Sequence, residues 1–258
     1  MICVRYAACG NTFTIVFGEV IEDKEKPKVV RSIVAEMDGV IFVEKTESSF
    51  FMDYFNRDGS RGEMCGNGAR AFIKALYDRG ECALGQLLVF DTYSGILYGR
   101  MLAADRAEVL MPQPEFLSMF HHEGWKGAFY SVGVPHLAFF MRTVSGVDVE
   151  GYGYYFSHLR DNSSGVSPFP VSTNVNFFSE EDEGLFVRTY ERGVWRETAS
   201  CGTGATACAA FYRKMTGQQS SAIRVTTKGG VLTVRFDRPH PQKEGEATYL
   251  EGTIEHYP

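Results

Sequence analysis

Cys65-Gly66-Asn67-Gly68-Ala69-Arg70-Ala71 recurs as Cys201-Gly202-Thr203-Gly204-Ala205-Thr206-Ala207. Cys, both Gly and both Ala match at a constant offset. Each copy leads into a helix-like run, Phe72-Ile73-Lys74-Ala75-Leu76 in the first and Cys208-Ala209-Ala210-Phe211-Tyr212 in the second. A fainter echo lies downstream, where Thr92-Tyr93-Ser94-Gly95-Ile96-Leu97 resembles Thr227-Lys228-Gly229-Gly230-Val231-Leu232. One internal duplication accounts for both echoes and sets two equivalent thiols on two equivalent halves.

The residue types state a chemistry. A Gly-rich turn entering a helix leaves the first backbone N–H groups without intrahelical partners, at the positive end of the dipole. Such an end binds carboxylates and favours a thiolate. Two copies facing one small ligand would put a sulfur on each face of a carbon. One sulfur could then remove a proton while the other returns one, as a racemase or epimerase requires. Cysteine beside small residues is also common as core packing, but packing alone does not explain the matched pair. The copies contain neither C-x-x-C nor a nearby His, so no zinc or other metal site is expected.

Composition narrows the class. The 258 residues are 44% hydrophobic and 22% charged, a globular balance with room for two modest domains. A net charge of -6 leaves no broad basic face, so a nucleic-acid partner is not expected. The opening Met1-Ile2-Cys3-Val4-Arg5-Tyr6 lacks the form of a secretory signal, and no apolar run approaches membrane-span length. No membrane partner is expected. Cysteines 3, 9, 65, 82, 201 and 208 form no tight framework and read as thiols in a reducing cytoplasm. Cys3, Cys9, Cys82 and Cys208 are read as structural.

Short apolar strands are expected over 12–17, 39–43, 87–90, 96–101, 107–111, 127–132, 137–141, 175–178, 185–190, 223–226 and 231–236. Val231-Leu232-Thr233-Val234-Arg235-Phe236 shows the clearest alternation. Helices are expected over 28–37, 68–77, 147–160 and 204–215. The acidic run Glu180-Glu181-Asp182-Glu183, closed by Gly184, reads as a solvated hairpin turn. Met111-Pro112-Gln113-Pro114 marks the middle. The expected architecture is α/β, with two pseudo-symmetric halves, each a curved, mostly antiparallel sheet wrapped around its motif helix. Residues 1–113 plus 250–258 would carry Cys65, and residues 114–249 would carry Cys201.

Several further motifs are similar to those of diaminopimelate epimerases. They are Gly10-Asn11-Thr12-Phe13, Phe55-Asn56-Arg57-Asp58-Gly59-Ser60, Val132-Gly133-Val134-Pro135-His136, Thr173-Asn174-Val175-Asn176-Phe177 and Tyr190-Glu191-Arg192-Gly193. Glu63-Met64 before the first Cys motif, and Glu197-Thr198 before the second, complete the resemblance. It implies an active site in a cleft between the halves and epimerisation of LL-diaminopimelate to the meso form. No pyridoxal cofactor would take part. The reaction would serve lysine and peptidoglycan precursor synthesis, and a homodimer is implied. Cys65 and Cys201 would be the acid/base pair. Gly66, Asn67, Gly202 and Thr203 would hold the reacting carboxylate at helix N-termini, with Asn11, Asn56, Asn174, Glu191 and Arg192 lining the rest of the pocket.

The small-molecule substrate so implied has two amino-acid ends. Its unreacting zwitterion needs an acid for the ammonium and an Arg for the carboxylate, which Glu191 and Arg192 supply. His136 is read as a turn residue, not a catalyst. Departures from the family pattern are Thr12, Gly39, Val134 and the Val194-Trp195-Arg196 loop. They leave open a racemase of another amino acid, histidine- or proline-type. A thiol redox or ligand-binding protein is the reading from another class.

Overall fold

The computed structural model describes residues 1–18, 21–46, 49–62, 65–159 and 172–258. Two compact units emerge, Met1–Leu110 with Glu251–Pro258, and Met111–Leu250.

The first unit opens with β1 (Ile2–Ala8), turned back antiparallel into β2 (Asn11–Phe17) through Cys9 and Gly10. Both turn residues have positive φ, 47° and 80°, as a two-residue hairpin of this twist demands. Helix α1 (Lys26–Ile33) then crosses to β3 (Gly39–Lys45), which pairs parallel to β2, and β4 (Phe50–Asn56) returns antiparallel. Helix α2 (Gly66–Asp78) is the second crossover, to β5 (Leu88–Thr92) parallel to β4. The antiparallel strands β6 (Gly95–Ala103) and β7 (Arg106–Leu110) follow.

In the second unit, β8 (Glu115–His122), β9 (Trp125–Ser131) and β10 (Pro135–Phe140) form an antiparallel meander. Helix α3 (Val149–His158) crosses to β11 (Asn174–Glu181), parallel to β10, and β12 (Gly184–Glu191) returns antiparallel. The short β13 (Arg196–Thr198) precedes α4 (Gly202–Thr216). That helix crosses to β14 (Ala222–Thr227), parallel to β12, and β15 (Gly230–Pro239) pairs antiparallel to it. Strand β16 (Glu246–Thr253) returns the chain to the first unit, where β17 (Glu255–His256) pairs with β1.

The pairing order β2–β3–β4–β5–β6 is parallel, antiparallel, parallel, antiparallel. The order β10–β11–β12–β14–β15 repeats it, with a helix crossover at each parallel step. The duplication read from seven residues therefore extends to a whole sheet topology. Each motif helix is buried around nearly its full circumference: Gly66 through Leu76 in α2, and Gly202 through Ala209 with Phe211 and Tyr212 in α4. A helix covered on all sides is a core element. Its small residues let strands approach closely. A Cβ on Gly68 would already touch Phe13, Ile41 and Met52 at 3.3–3.4 Å. A satellite core of Val16, Val30, Val34, Met37, Val40, Phe42 and Phe55 lies under α1. Phe120, Phe129, Phe139, Phe156, Phe177 and Tyr190 dominate its counterpart in the second unit.

Strands β1, β4, β8, β13, β16 and β17 were not expected, and helix ends differ by a few residues. Helix α1 spans Lys26–Ile33, not 28–37, because Pro27 suits a first helical turn. The expected end of the third helix at Arg160 lies outside the described residues, as do Glu63 and Met64.

Candidate active site

Each motif cysteine is the N-cap of its helix. Cys65 has φ -124° and ψ 105°, and Cys201 has φ -126° and ψ 111°. The Cys65 Sγ accepts the Gly68 N–H at 3.3 Å, and the Cys201 Sγ accepts the Gly204 N–H at 3.4 Å. The cap carbonyls receive the first helical bonds, from Ala69 at 2.8 Å and Ala205 at 2.9 Å. Sulfur thus fills the role normally taken by a Ser or Asp oxygen. An N–H donor and the positive helix end both favour charge on that sulfur. The N–H groups of Gly66, Asn67, Gly202 and Thr203 belong to the first turn, where an anion is the natural partner. Cys65 is partly exposed and Cys201 is buried; all six cysteines are thiols.

The surroundings of the two caps differ. In the first unit Asn67 is buried, and its amide joins Arg70 Nη2 at 2.7 Å to Asn11 Oδ1 at 2.5 Å. Arg70 is fully buried and also reaches the Gly66 carbonyl at 3.3 Å. Burial lowers its pKa, while the nearby Cys9 and Cys65 sulfurs act in the opposite direction. In the second unit the matching positions are Thr203, 3.4 Å from the Cys201 Sγ, and Thr206, which donates to the Gly202 carbonyl at 2.9 Å.

The other expected pocket residues are engaged within their own units. Asn56 accepts from Tyr54 at 3.1 Å and donates to Ser60 at 3.0 Å. Asn174 donates to the Pro135 carbonyl and accepts the Arg192 N–H, both at 2.9 Å, so it ties the end of β10 to that of β12. Glu191 is half-buried, and desolvation raises its pKa, although a bond from Thr198 at 3.0 Å opposes the shift. A desolvated carboxyl held up in this way is ready for a cationic partner. His136 is fully buried, and burial lowers its pKa to about 3. Its Nδ1 accepts from the Asn176 amide at 3.1 Å. Trp195 adopts φ 57° and lies against His158, with ring centroids 4.9 Å apart.

Two ion-pair clamps were missing from the sequence reading. Asp53 on β4, fully buried, is gripped by Arg61 through Nε at 2.9 Å and Nη2 at 3.0 Å, with Lys26 at 2.6 Å. Glu197 on β13 is gripped by Arg188 of β12 through Nε at 2.7 Å and Nη2 at 2.8 Å, with Lys228 at 2.7 Å. Arg61 and Glu197 each stand four residues before their motif cysteine. Each clamp therefore fastens the approach to a thiol, with the charges exchanged between the halves. Asn176 was also missed. It donates to His136 and to the Leu137 carbonyl, accepts from Thr189, and packs beneath Gly204. Among the described residues no cluster suited to a metal ion occurs, and no helix is long and apolar enough to cross a membrane.

Comparison with known proteins agrees with this architecture. The family described as diaminopimelate epimerase matches residues 10–116 and 128–255. A diaminopimelate epimerase of Thermotoga maritima is 38% identical over 251 residues, covering 96% of this chain and 97% of the relative. One from Methanocella arvoryzae is 34% identical over 270 residues, covering 95% and 94%. Among solved structures, a phenazine biosynthesis protein of the PhzF family from Bacillus anthracis superposes with a TM-score of 0.77 at 16% identity, over 98% of this chain and 96% of that one. A hydroxyproline epimerase from Agrobacterium vitis superposes with a TM-score of 0.69 at 13% identity, over 99% and 90%. These two share the fold.

Proposed function

The chain belongs to the diaminopimelate epimerase family, and from that premise we propose that it converts LL-diaminopimelate to the meso isomer, with Cys65 and Cys201 as a thiolate–thiol pair. One sulfur takes the α-proton and the opposite one delivers its own proton to the other face of the same carbon. The sulfurs then hold exchanged protonation states, so the reverse passage restores them. Nothing is consumed, and the reaction is an isomerisation.

The observation that carries this reading is the repeated thiol cap. Two cysteines far apart in the chain share backbone angles to within a few degrees and the same sulfur-to-N–H bond. Core packing would not require both to be helix caps.

The difficult quantity is the acidity of an α-hydrogen. Charge must be stabilised where it grows, on the α-carboxylate oxygens. First-turn N–H groups of Gly66, Asn67, Gly202 and Thr203 are donors of the right kind, and one such donor contributes roughly 2.7–4 kcal/mol. Glu191 and Arg192 fit the far zwitterion. The substrate ammonium would draw Glu191 into its ionised form, and the guanidinium would take the carboxylate in a two-pronged bond. The six thiols suit a reducing cytoplasm, and a homodimer belongs to the same proposal.

The test is incubation with LL-diaminopimelate in deuterated water, following inversion and deuterium uptake at one α-carbon. Cys65→Ala and Cys201→Ala should each abolish inversion. Turnover retained by either variant overturns the two-thiol reading. Exchange on another amino acid, with none on diaminopimelate, overturns the substrate.

A further inference from the structure

The chain of side chains from Arg70 through Asn67 to Asn11 can run in only one direction. A guanidinium carries donors and no acceptor. The Asn67 amide must therefore turn its oxygen to Arg70, where it sits 2.7 Å from Nη2. Its nitrogen is left to donate, and Asn11 Oδ1 receives it at 2.5 Å. Asn11 must in turn direct its own amide nitrogen elsewhere. Flipping Asn67 would set N–H against N–H at Arg70, and flipping Asn11 would do so at Asn67. The relay starts on a fully buried charge, passes through an amide that is 2% exposed, and ends on a partly exposed one. Among the described residues Asn11 has no other side-chain hydrogen bond. The hairpin turn at Cys9 and Gly10 fixes where that end stands.

We propose that Arg70 is a positioning residue. It sets the polarity of the Asn67–Asn11 relay, so that Asn11 presents N–H to the substrate, binds a carboxylate oxygen and rejects an ammonium. The inference rests on the proposed function, since a substrate with two zwitterionic ends demands that each group be told from the other. Among the described residues the second motif copy shows no such relay. Thr206 takes the place of Arg70 and spends its hydroxyl on the Gly202 carbonyl. The polarity is thus a property of the first copy.

Two substitutions read the direction of the relay. Asn11→Asp still accepts from Asn67 but replaces the outward N–H by a carboxylate oxygen. KM for LL-diaminopimelate should rise about 10- to 100-fold, the worth of a hydrogen bond to a charged group. Asn67→Asp gives Arg70 a carboxylate partner and obliges Asn11 to turn over and present its carbonyl. KM should rise similarly, while Tm stays level or increases, a pattern that mere structural damage would not give. Arg70→Lys, another donor without acceptor, should keep KM within about threefold of wild type where Arg70→Met does not. An unchanged or lower KM in Asn11→Asp, or an unchanged KM in Asn67→Asp, overturns the proposal. A wild-type protein without turnover would refute the function instead. The relay is then read from the Asn11 side-chain amide signals in a nitrogen-15 spectrum. They must shift in Asn67→Asp, and signals that stay in place overturn it.

Discussion

Gly68 and Gly204 hold the same place in the two motif copies, yet alanine should be tolerated at one and not at the other. A Cβ on Gly68 would meet Ile41 Cδ1, Met52 Cε and Phe13 Cε1 at 3.3–3.4 Å, all ends of movable side chains. Alanine also gains about 1 kcal/mol of helix propensity over glycine. Gly68→Ala should therefore stay within about 1 kcal/mol of wild type. A Cβ on Gly204 would lie 2.3 Å from Asn176 Oδ1 and 3.1 Å from Thr189 Oγ1. Asn176 cannot step aside, since it is fully buried and bonded to Thr189, His136 and the Leu137 carbonyl. Displacing it strands buried polar groups at about 1–3 kcal/mol each. After the propensity gain, Gly204→Ala should lose about 3 kcal/mol. Urea unfolding of both variants, with the slope held against wild type, measures the difference. A gap below about 1 kcal/mol between the two variants would refute the argument that the Asn176 network, and not the motif itself, forbids a side chain there.

Burial holds His136 neutral in the folded state, with a pKa of about 3, while the unfolded chain takes up a proton near pH 6.5. The resulting stability is present above that value and is lost as pH falls, by about 3 kcal/mol at pH 4. His136→Asn keeps an acceptor for Asn176, and its drop in unfolding free energy between pH 7 and pH 4 should be smaller than that of wild type by about this amount. Glu191 carries the opposite sign. Its pKa is raised by burial, so its ionisation weakens the folded state as pH climbs past the ordinary carboxylate value. Glu191→Gln should raise Tm at neutral pH while raising KM for diaminopimelate; a lower Tm would count against it. Asp53→Asn weakens the bonds from Lys26 and Arg61, which keep Glu44 and Asp23 as counter-charges, and denaturation should show a loss of about 1–3 kcal/mol. That loss should persist in high salt, because the carboxylate is buried.

How much of this could be read in advance followed from where the signals lie in the chain. Helices α2 and α4 announce themselves, because a Gly-rich entry followed by small and apolar residues has little other use. Strand β4 was missed because Phe50-Phe51-Met52-Asp53-Tyr54-Phe55-Asn56 does not alternate, and its central residue is a carboxylate. Parallel pairing to β5 and antiparallel pairing to β3 cover it on both edges. Strand β8 carries a register shift between Phe116 and Ser118 that breaks a period of two. The clamps were invisible for another reason. Asp53 and Arg61, or Arg188 and Glu197, are ordinary surface residues until the hairpin that joins them is buried. Arg70 did leave a mark. The two motif copies differ at just two of seven positions, Asn67 against Thr203 and Arg70 against Thr206, and both differences belong to one hydrogen-bonded relay.

The duplication conserves the thiol and its cap while almost everything that supports the cap has diverged. A clamp needs one carboxylate and one guanidinium, and either can ride on the longer strand, as Asp53–Arg61 and Arg188–Glu197 show. The motif interior is different. A guanidinium at position 70 imposes a hydrogen-bond direction on its neighbours that a threonine at position 206 cannot impose. A single α-carbon bears four different groups, so a site that inverts it must hold two of them in place while the proton changes sides. On the proposed function, sameness at the sulfurs would serve the proton exchange, and the relay at residues 67 and 70 would serve to tell the held groups apart.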